Sequence, residues 1–292
     1  MPGRNVPFPP MEAELVAELP TGDWQYEPKW DGFRGILEND GGELALWSRN
    51  ERPLLRYFPE LEPLGKLLPP HSALDGEIVI SKKGKLDFDS MQLRLHPAES
   101  RIRKLSAEIP AHFIVFDILL WKGEKLHKLP LDKRRKELER KAKRFQLSPY
   151  TRDPEEAERW LDRIEAAGLD GVVAKRLDSP YRPGSREAVA KVKKYKTADC
   201  VIVGFRYSEK AKGRISTLLL GLYDKDGELD WHPVRPELVC EVRYDKLERN
   251  RFRHGTRFLR FRPDKDPKDC TWREVKPPRR RGDPTVESLL GA

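Results

Sequence analysis

Cysteine, methionine and histidine are scarce in this chain, with 3 Cys, 3 Met and 6 His among 292 residues. Cys200, Cys240 and Cys270 stand far apart, and none belongs to a C-x-x-C pair. A disulfide framework and a zinc clip are therefore not expected, and each thiol is read as a small core residue of a reducing compartment. No apolar run approaches the roughly 18 residues that a membrane helix needs. Met1–Pro10 lacks the basic-then-apolar order of a signal peptide. No membrane partner is expected, and the expected location is cytoplasmic. There is no internal repeat, which argues against a solenoid or propeller.

Charge is what the sequence has in abundance. Lys and Arg number 57 against 48 Asp and Glu, giving a net charge of +9 and a pI near 9.3. The 38% hydrophobic fraction still suffices for a core, and the length suits two domains. The excess is modest, so its placement matters more than its size. From Lys246 to Arg262 seven basic residues face the single acid Glu248, with Phe252, Phe258 and Phe261 interleaved. Such a stretch suits a polyanion, and Arg251, Arg253 and Arg257 are candidate DNA-backbone contacts. A solvated basic surface is the competing explanation.

Strand-like runs recur at Gly35–Glu38, Glu43–Ser48, Ser72–Ile80 and His112–Trp121, with hairpin punctuation at Asn39-Asp40-Gly41-Gly42 and Lys82-Lys83-Gly84-Lys85. Helices are expected over Leu131–Phe145, with Asp132 as cap, and over Pro154–Ala167 after Asp153. The Lys133–Arg144 charge run reads as a solvated helix face. From Cys200 the texture turns to short strands, at Cys200–Tyr207, Ser216–Tyr223, Leu238–Tyr244 and Arg257–Arg262, which fits a small β-barrel. The expected boundary lies at Thr197–Asp199, dividing residues 1–198 from 199–292. The tail beyond Lys276 reads as poorly packed.

Chemistry concentrates in short segments. Glu27-Pro28-Lys29-Trp30-Asp31-Gly32-Phe33-Arg34 comes first, then Asp75-Gly76-Glu77, Phe113–Leu119, Asp170–Lys175 and Lys191-Val192-Lys193. A lysine that attacks phosphorus must be neutral, which calls for neighbouring cations or desolvation. Each segment met alone has an ordinary structural explanation as a turn or a core strand.

Together, in this order, the segments resemble the covalent nucleotidyltransferase superfamily of DNA ligases, RNA ligases and mRNA capping enzymes. The likeness runs from about Trp24 to Trp272. It is nearest to small bacterial ATP-dependent ligases, either the ligase C type or the ligase module of ligase D. The resemblance implies an α+β fold: an ATP-grasp-like nucleotidyltransferase domain of antiparallel sheets with helices, followed by an OB-fold barrel. It implies Lys29 as the nucleophile that carries AMP, in a K-x-D-G-x-R motif ending at Arg34. Glu27 would accept from adenine N6, Phe116 would stack on the purine, and Glu77 would lie at the ribose. Arg49 would approach a phosphate in the nick. Arg186, Lys191 and Lys193 would clamp phosphates, while Arg262 and Lys265 of Arg262-Pro263-Asp264-Lys265 would orient the leaving pyrophosphate. Asp170, with Glu77, would hold Mg²⁺ or Mn²⁺. ATP would be the AMP donor, and nicked double-stranded DNA the partner of a monomer.

Three departures stand out. Asp170 replaces a Glu common among relatives, Val189 stands where a Trp often precedes the paired lysines, and Glu228-Leu229-Asp230 runs directly into Trp231-His232-Pro233. Relatives usually carry a further barrel segment at that junction, so a tight turn or a gap is expected there. The competing functions are an RNA ligase or a capping-type guanylyltransferase, or a nucleic-acid-binding protein without activity. Glu27 favours adenine, since guanine presents an acceptor, O6, where adenine presents an amino group.

Overall fold

The computed structural model describes residues 1–209, 211, 213–222, 232–233, 235–248, 251–275 and 282–291. They form two compact units, Met1–Lys193 with Arg281–Ala292, and Lys194–Arg280.

The first unit rests on two sheets. One has the strand order Glu43–Ser48, Phe33–Asp40, Ser72–Val79, His112–Leu120, Gln146–Leu147, antiparallel except for the last pair. The expected strands are all present, and the turn after Asp40 forms as its residues dictate. Gly41 and Gly42 take φ of 69° and 119°, and Gly42 N–H donates to Asn39 Oδ1 at 2.8 Å. The other sheet has the order Glu14–Val16, Val189–Lys193, Gly171–Arg176, Trp24–Pro28, its first pair parallel.

Alternation in this second sheet separates core from cavity. Tyr26, Val172, Ala174 and Ala190 are buried in one cluster with Trp30, Ile114 and Leu169. The intervening Glu27, Val173 and Lys191 share the opposite face, with Val173 the register partner of both others.

The helix Leu131–Lys141 starts one residue before its expected cap. Pro130 is the N-cap, and Asp132 lies inside the first turn, paired with Lys136 and Arg152. Its charge run is not wholly solvated. Arg134 is buried, donating to both carboxylate oxygens of Asp117 at 2.8 and 2.9 Å, and Arg135 is buried over the Tyr150 ring at 4.4 Å. Pro154–Arg163 is helical as expected, with Asp153 Oδ1 accepting from Glu155 N–H at 2.9 Å.

In the second unit Lys196–Tyr207 is the central strand, in the order Ile215–Gly221, Lys196–Tyr207, Val239–Tyr244, Arg257–Phe261, with His232–Pro233 also paired to it. All these pairings are antiparallel, and among the described residues the order is open and no closed barrel forms. The Asp230–Trp231 junction lies outside the described residues. The three cysteines are free and buried, and Cys200 faces Cys240 across the register.

Two boundaries differ from the sequence-based expectation. Thr197–Asp199 lies within the paired strand Lys196–Tyr207, so the chain passes between units at Lys193–Lys194. The C-terminal residues, expected with the second domain, return to the first unit. Val286 is buried against Leu86, Ala157 and Ala167, with Leu289 and Leu290 packed beside it, and Val286 N–H donates to Gly84 O at 3.2 Å. The reason is apolar cover: without these side chains the Leu86–Ala157–Ala167 surface would face water.

Arg94 is fully buried and is held by Glu60 through two contacts of 2.7 Å, with Tyr57 O accepting at 2.8 Å. Arg94→Ala leaves Glu60 without its partner and is expected to cost about 3–5 kcal/mol in urea unfolding. A loss below about 1 kcal/mol, the scale of a surface pair, would show that this pair does not anchor the unit.

Candidate active site

Lys29 follows directly on the strand Trp24–Pro28, and its backbone N–H donates to Gly171 O at 3.0 Å. That bond ties it to the chain segment carrying Asp170. The result is a contact between residues 141 apart in sequence: Lys29 Nζ lies 2.7 Å from Asp170 Oδ1. Lys193 Nζ approaches the other oxygen, Oδ2, at 3.3 Å. One carboxylate thus bridges two of the expected site cations. Gly171 is required here, since a Cβ would stand 2.0 Å from Val192 O.

Lys29 lines a cavity of about 1400 Å³. From the same sheet come Glu27 and Lys191, and from the loop before Val189 comes Arg186. The five-stranded sheet contributes Arg34, Glu77 and Phe116, and the turn after Ser48 adds Arg49. Phe116 occupies a register irregularity, because Asp75 pairs with Asp117 and Gly76 with Val115. A bulge of this kind turns one extra side chain away from the regular ladder. Its ring sits 4.4 Å from Lys175 Nζ and 5.5 Å from the Arg34 guanidinium.

The carboxylates have distinct surroundings. Glu27 is buried, and its Oε1 accepts from Lys175 Nζ at 2.8 Å and from Gln25 Nε2 at 2.9 Å. Glu77 stands opposite Arg34 in the register, and its Oε1 accepts from Gly32 N–H at 3.1 Å. Burial pushes the Glu77 carboxyl up to about 8, against the pull of Arg34 and Lys29. Burial, reinforced by Lys29, Lys193 and Arg186, lowers the Lys191 ammonium below its usual range.

Arg34 is engaged within the protein. Nε donates to Asp75 Oδ1 at 3.0 Å, Nη2 to Asp75 Oδ2 at 2.6 Å, and Nη1 to Met11 O. Tyr181 OH donates to the same Asp75 at 2.7 Å. Asp75, Tyr181 and Lys175 were not singled out as site residues from sequence. Asp75 and Lys175 lay within quoted motifs, and period-2 alternation places Lys175 on the face of Glu27. Tyr181 opens the segment Tyr181–Arg186, which the resemblance matches to the phosphate clamp.

The remaining expected residues lie in the second unit. Arg262 Nη1 and Lys265 Nζ both reach Asp199 Oδ2, at 2.7 and 2.9 Å. Arg262 also forks onto Asp264, which holds the Asp264 carboxyl down to about 2, and Lys265 contacts Glu274 Oε1 at 2.8 Å. Asp199 and Glu274 had no motif to announce them. Arg251 and Arg257 are exposed, whereas Arg253 is half-buried and pairs with Glu248 at 3.4 Å.

Glu77 makes stability depend on pH in a defined direction. Its folded-state value is raised above the ordinary 4.5, so its contribution is fully present below that value and is lost as pH rises through about 8. In ligand-free protein without divalent cation, Glu77→Gln should gain stability relative to the parent between about pH 5 and pH 8. Parallel melting profiles for the two proteins would contradict burial of the charge.

Residues 10–193 match the family described as ATP dependent DNA ligase domain. DNA ligase C1 of Mycolicibacterium smegmatis is 40% identical over 331 residues, covering 93% of this chain and 94% of the relative. DNA ligase C of Mycobacterium tuberculosis is 37% identical, with 93% and 94% covered. The alignment with the first of these is longer than the 292-residue chain, so that relative carries segments with no counterpart here. The crystal structure of the ligase domain from M. tuberculosis LigD aligns with a TM-score of 0.52 at 27% identity, covering 89% of this chain and 97% of that one. Together with the cavity around Lys29, these similarities identify the chain as a member of the ATP-dependent DNA ligase family.

Proposed function

We propose that this chain seals 3′-OH/5′-phosphate nicks in double-stranded DNA through three transfers, with Lys29 carrying AMP between the first two. The observation that carries this reading is the position of Lys29 Nζ, in one cavity with Glu27, Phe116, Arg186 and Lys191. In the first transfer Lys29 Nζ, having given up a proton, attacks the α-phosphorus of ATP. The N–P bond forms as the P–O bond to pyrophosphate breaks. In the second, an oxygen of the DNA 5′-phosphate attacks the same phosphorus, and Lys29 leaves and regains a proton. In the third, the 3′-OH attacks the activated 5′-phosphorus, its proton is lost, and AMP departs.

The protein's part is positioning and charge. Phe116 offers its face to the purine, and Glu27 accepts from adenine N6. Arg49, Arg186, Lys191 and Lys193 hold phosphate oxygens. Asp170 and Glu77 are the hard oxygen donors that Mg²⁺ or Mn²⁺ prefers. Such an ion, when bound, supplies positive charge against the phosphates. Arg251, Arg253 and Arg257 contact DNA phosphates.

No helix among the described residues is long and apolar enough to cross a membrane. The protein acts as a monomer in the cytoplasm, in DNA repair.

Incubation with labelled ATP should give an acid-labile protein adduct that labelled GTP does not give. Lys29→Ala should abolish it while preserving the circular dichroism spectrum. An adduct that survives in Lys29→Ala would remove Lys29 from its role, and equal labelling by GTP would remove Glu27 from its own. Arg262 and Lys265 are proposed to meet pyrophosphate, which leaves only in the first transfer. Arg262→Ala with Lys265→Ala should therefore fail to form the adduct yet seal a nick that already carries AMP on its 5′-phosphate. Equal loss of both activities would assign these residues to structure or DNA binding instead.

A further inference from the structure

Glu12 lines the Lys29 cavity, yet no expected motif includes it. Its Oε2 accepts from Arg186 Nε at 2.7 Å and lies 2.5 Å from Arg186 Nη2, so one carboxylate oxygen takes two guanidinium contacts. Arg49 and Lys191 add their charge at the same carboxyl, which the Arg186 hydrogen bond already holds below the usual carboxylate range. All three cations line the cavity that Lys29 lines.

The backbone that presents Glu12 is fixed. Glu12 N–H donates to Ser185 O at 2.9 Å, and the next residues enter the sheet with Glu14 beside Ala190 and Leu15 beside Lys191. Met11 is buried, its N–H donating to Tyr181 OH at 3.2 Å. The side chains themselves are open, with Glu12 33% and Arg186 67% exposed. A pair of this kind is readily displaced, because water screens both charges. A rigid backbone therefore holds a weakly bound anion among three cations.

We propose that Glu12 sets the phosphate affinity of this cavity, its carboxylate occupying among Arg186, Arg49 and Lys191 the place that the 5′-phosphate of the nick takes. This rests on the nick-sealing reading above. A terminal phosphate brings more charge and more acceptor oxygens than a carboxylate and displaces it. A 5′-hydroxyl end has no anion to exchange. Glu12 is in this sense an intramolecular competitor, and every phosphate must overcome it to bind.

The test is equilibrium binding of the adenylylated protein, freed of divalent cation, to nicked duplexes ending in 5′-phosphate or 5′-hydroxyl. Glu12→Gln should tighten the 5′-phosphate duplex about two- to five-fold, the range that an exposed ion pair supports. It should leave the 5′-hydroxyl duplex unchanged, and Glu12→Asp should keep the parent affinities. Weaker or unchanged binding of the 5′-phosphate duplex by Glu12→Gln would overturn the proposal, since Glu12 would then only prop Arg186. If the parent protein itself fails to prefer 5′-phosphate over 5′-hydroxyl, the nick-sealing reading falls first and the role of Glu12 with it.

Discussion

The contact of Lys29 Nζ with Asp170 Oδ1 at 2.7 Å is the constraint on which the rest of the site depends. Asp170 is almost wholly buried at 6% side-chain exposure, so its charge needs a partner. Lys29 and Lys193 supply that partner from two directions. Neither lysine could reach Asp170 unless the strand Gly171–Arg176 lay between Trp24–Pro28 and Val189–Lys193, as the sheet order has it. The Lys29 N–H bond to Gly171 O and the tight approach of Gly171 to Val192 O lock that order beside the nucleophile. The lysine is thereby presented to the cavity and kept from the long excursions of a surface lysine.

The same pattern repeats around the cavity. Lys175 is matched by Glu27, Arg34 by Asp75, and Arg186 by Glu12. In the second unit Arg262 and Lys265 are matched by Asp199, Asp264 and Glu274. A basic protein that binds polyanions must hold its cations apart when no ligand is present, and internal carboxylates do so. The pairs differ in depth. Asp75 is fully buried and holds one edge of the Arg34 guanidinium through both its oxygens, which makes it a structural pair. The Arg186 pair is open, and an open pair can exchange one anion for another.

Much of this was legible in the sequence. The hairpin punctuation at Asn39-Asp40-Gly41-Gly42 marks the first hairpin, whereas the register that puts Glu27, Val173 and Lys191 on one face appears only in the structure. The motif residues Lys29, Glu77, Phe116 and Asp170 lie at or beside one cavity because each sits at a strand end or on a cavity-facing position. What stayed hidden depends on distant partners. Arg134 and Arg135 sit in a charge run that reads as solvated, and only the buried Asp117 and the Tyr150 ring reveal why they turn inward. The outward aim of Phe116 comes from a register shift opposite Asp75 and Gly76, which no local pattern announces. Glu12 lies in an N-terminal segment without a motif, and its meaning appears only when Arg186 is beside it. The strand Lys196–Tyr207 begins in residues of no clear β pattern, Lys196–Asp199, so the passage between units at Lys193–Lys194 has no local signal.

The most direct test of Lys29 as the AMP carrier is peptide mass spectrometry of the protein after reaction with ATP and Mg²⁺. The geometry around Asp170 predicts a single adenylylated peptide, modified at Lys29. Modification at Lys175, Lys191 or Lys193, with Lys29 unmodified, would contradict it.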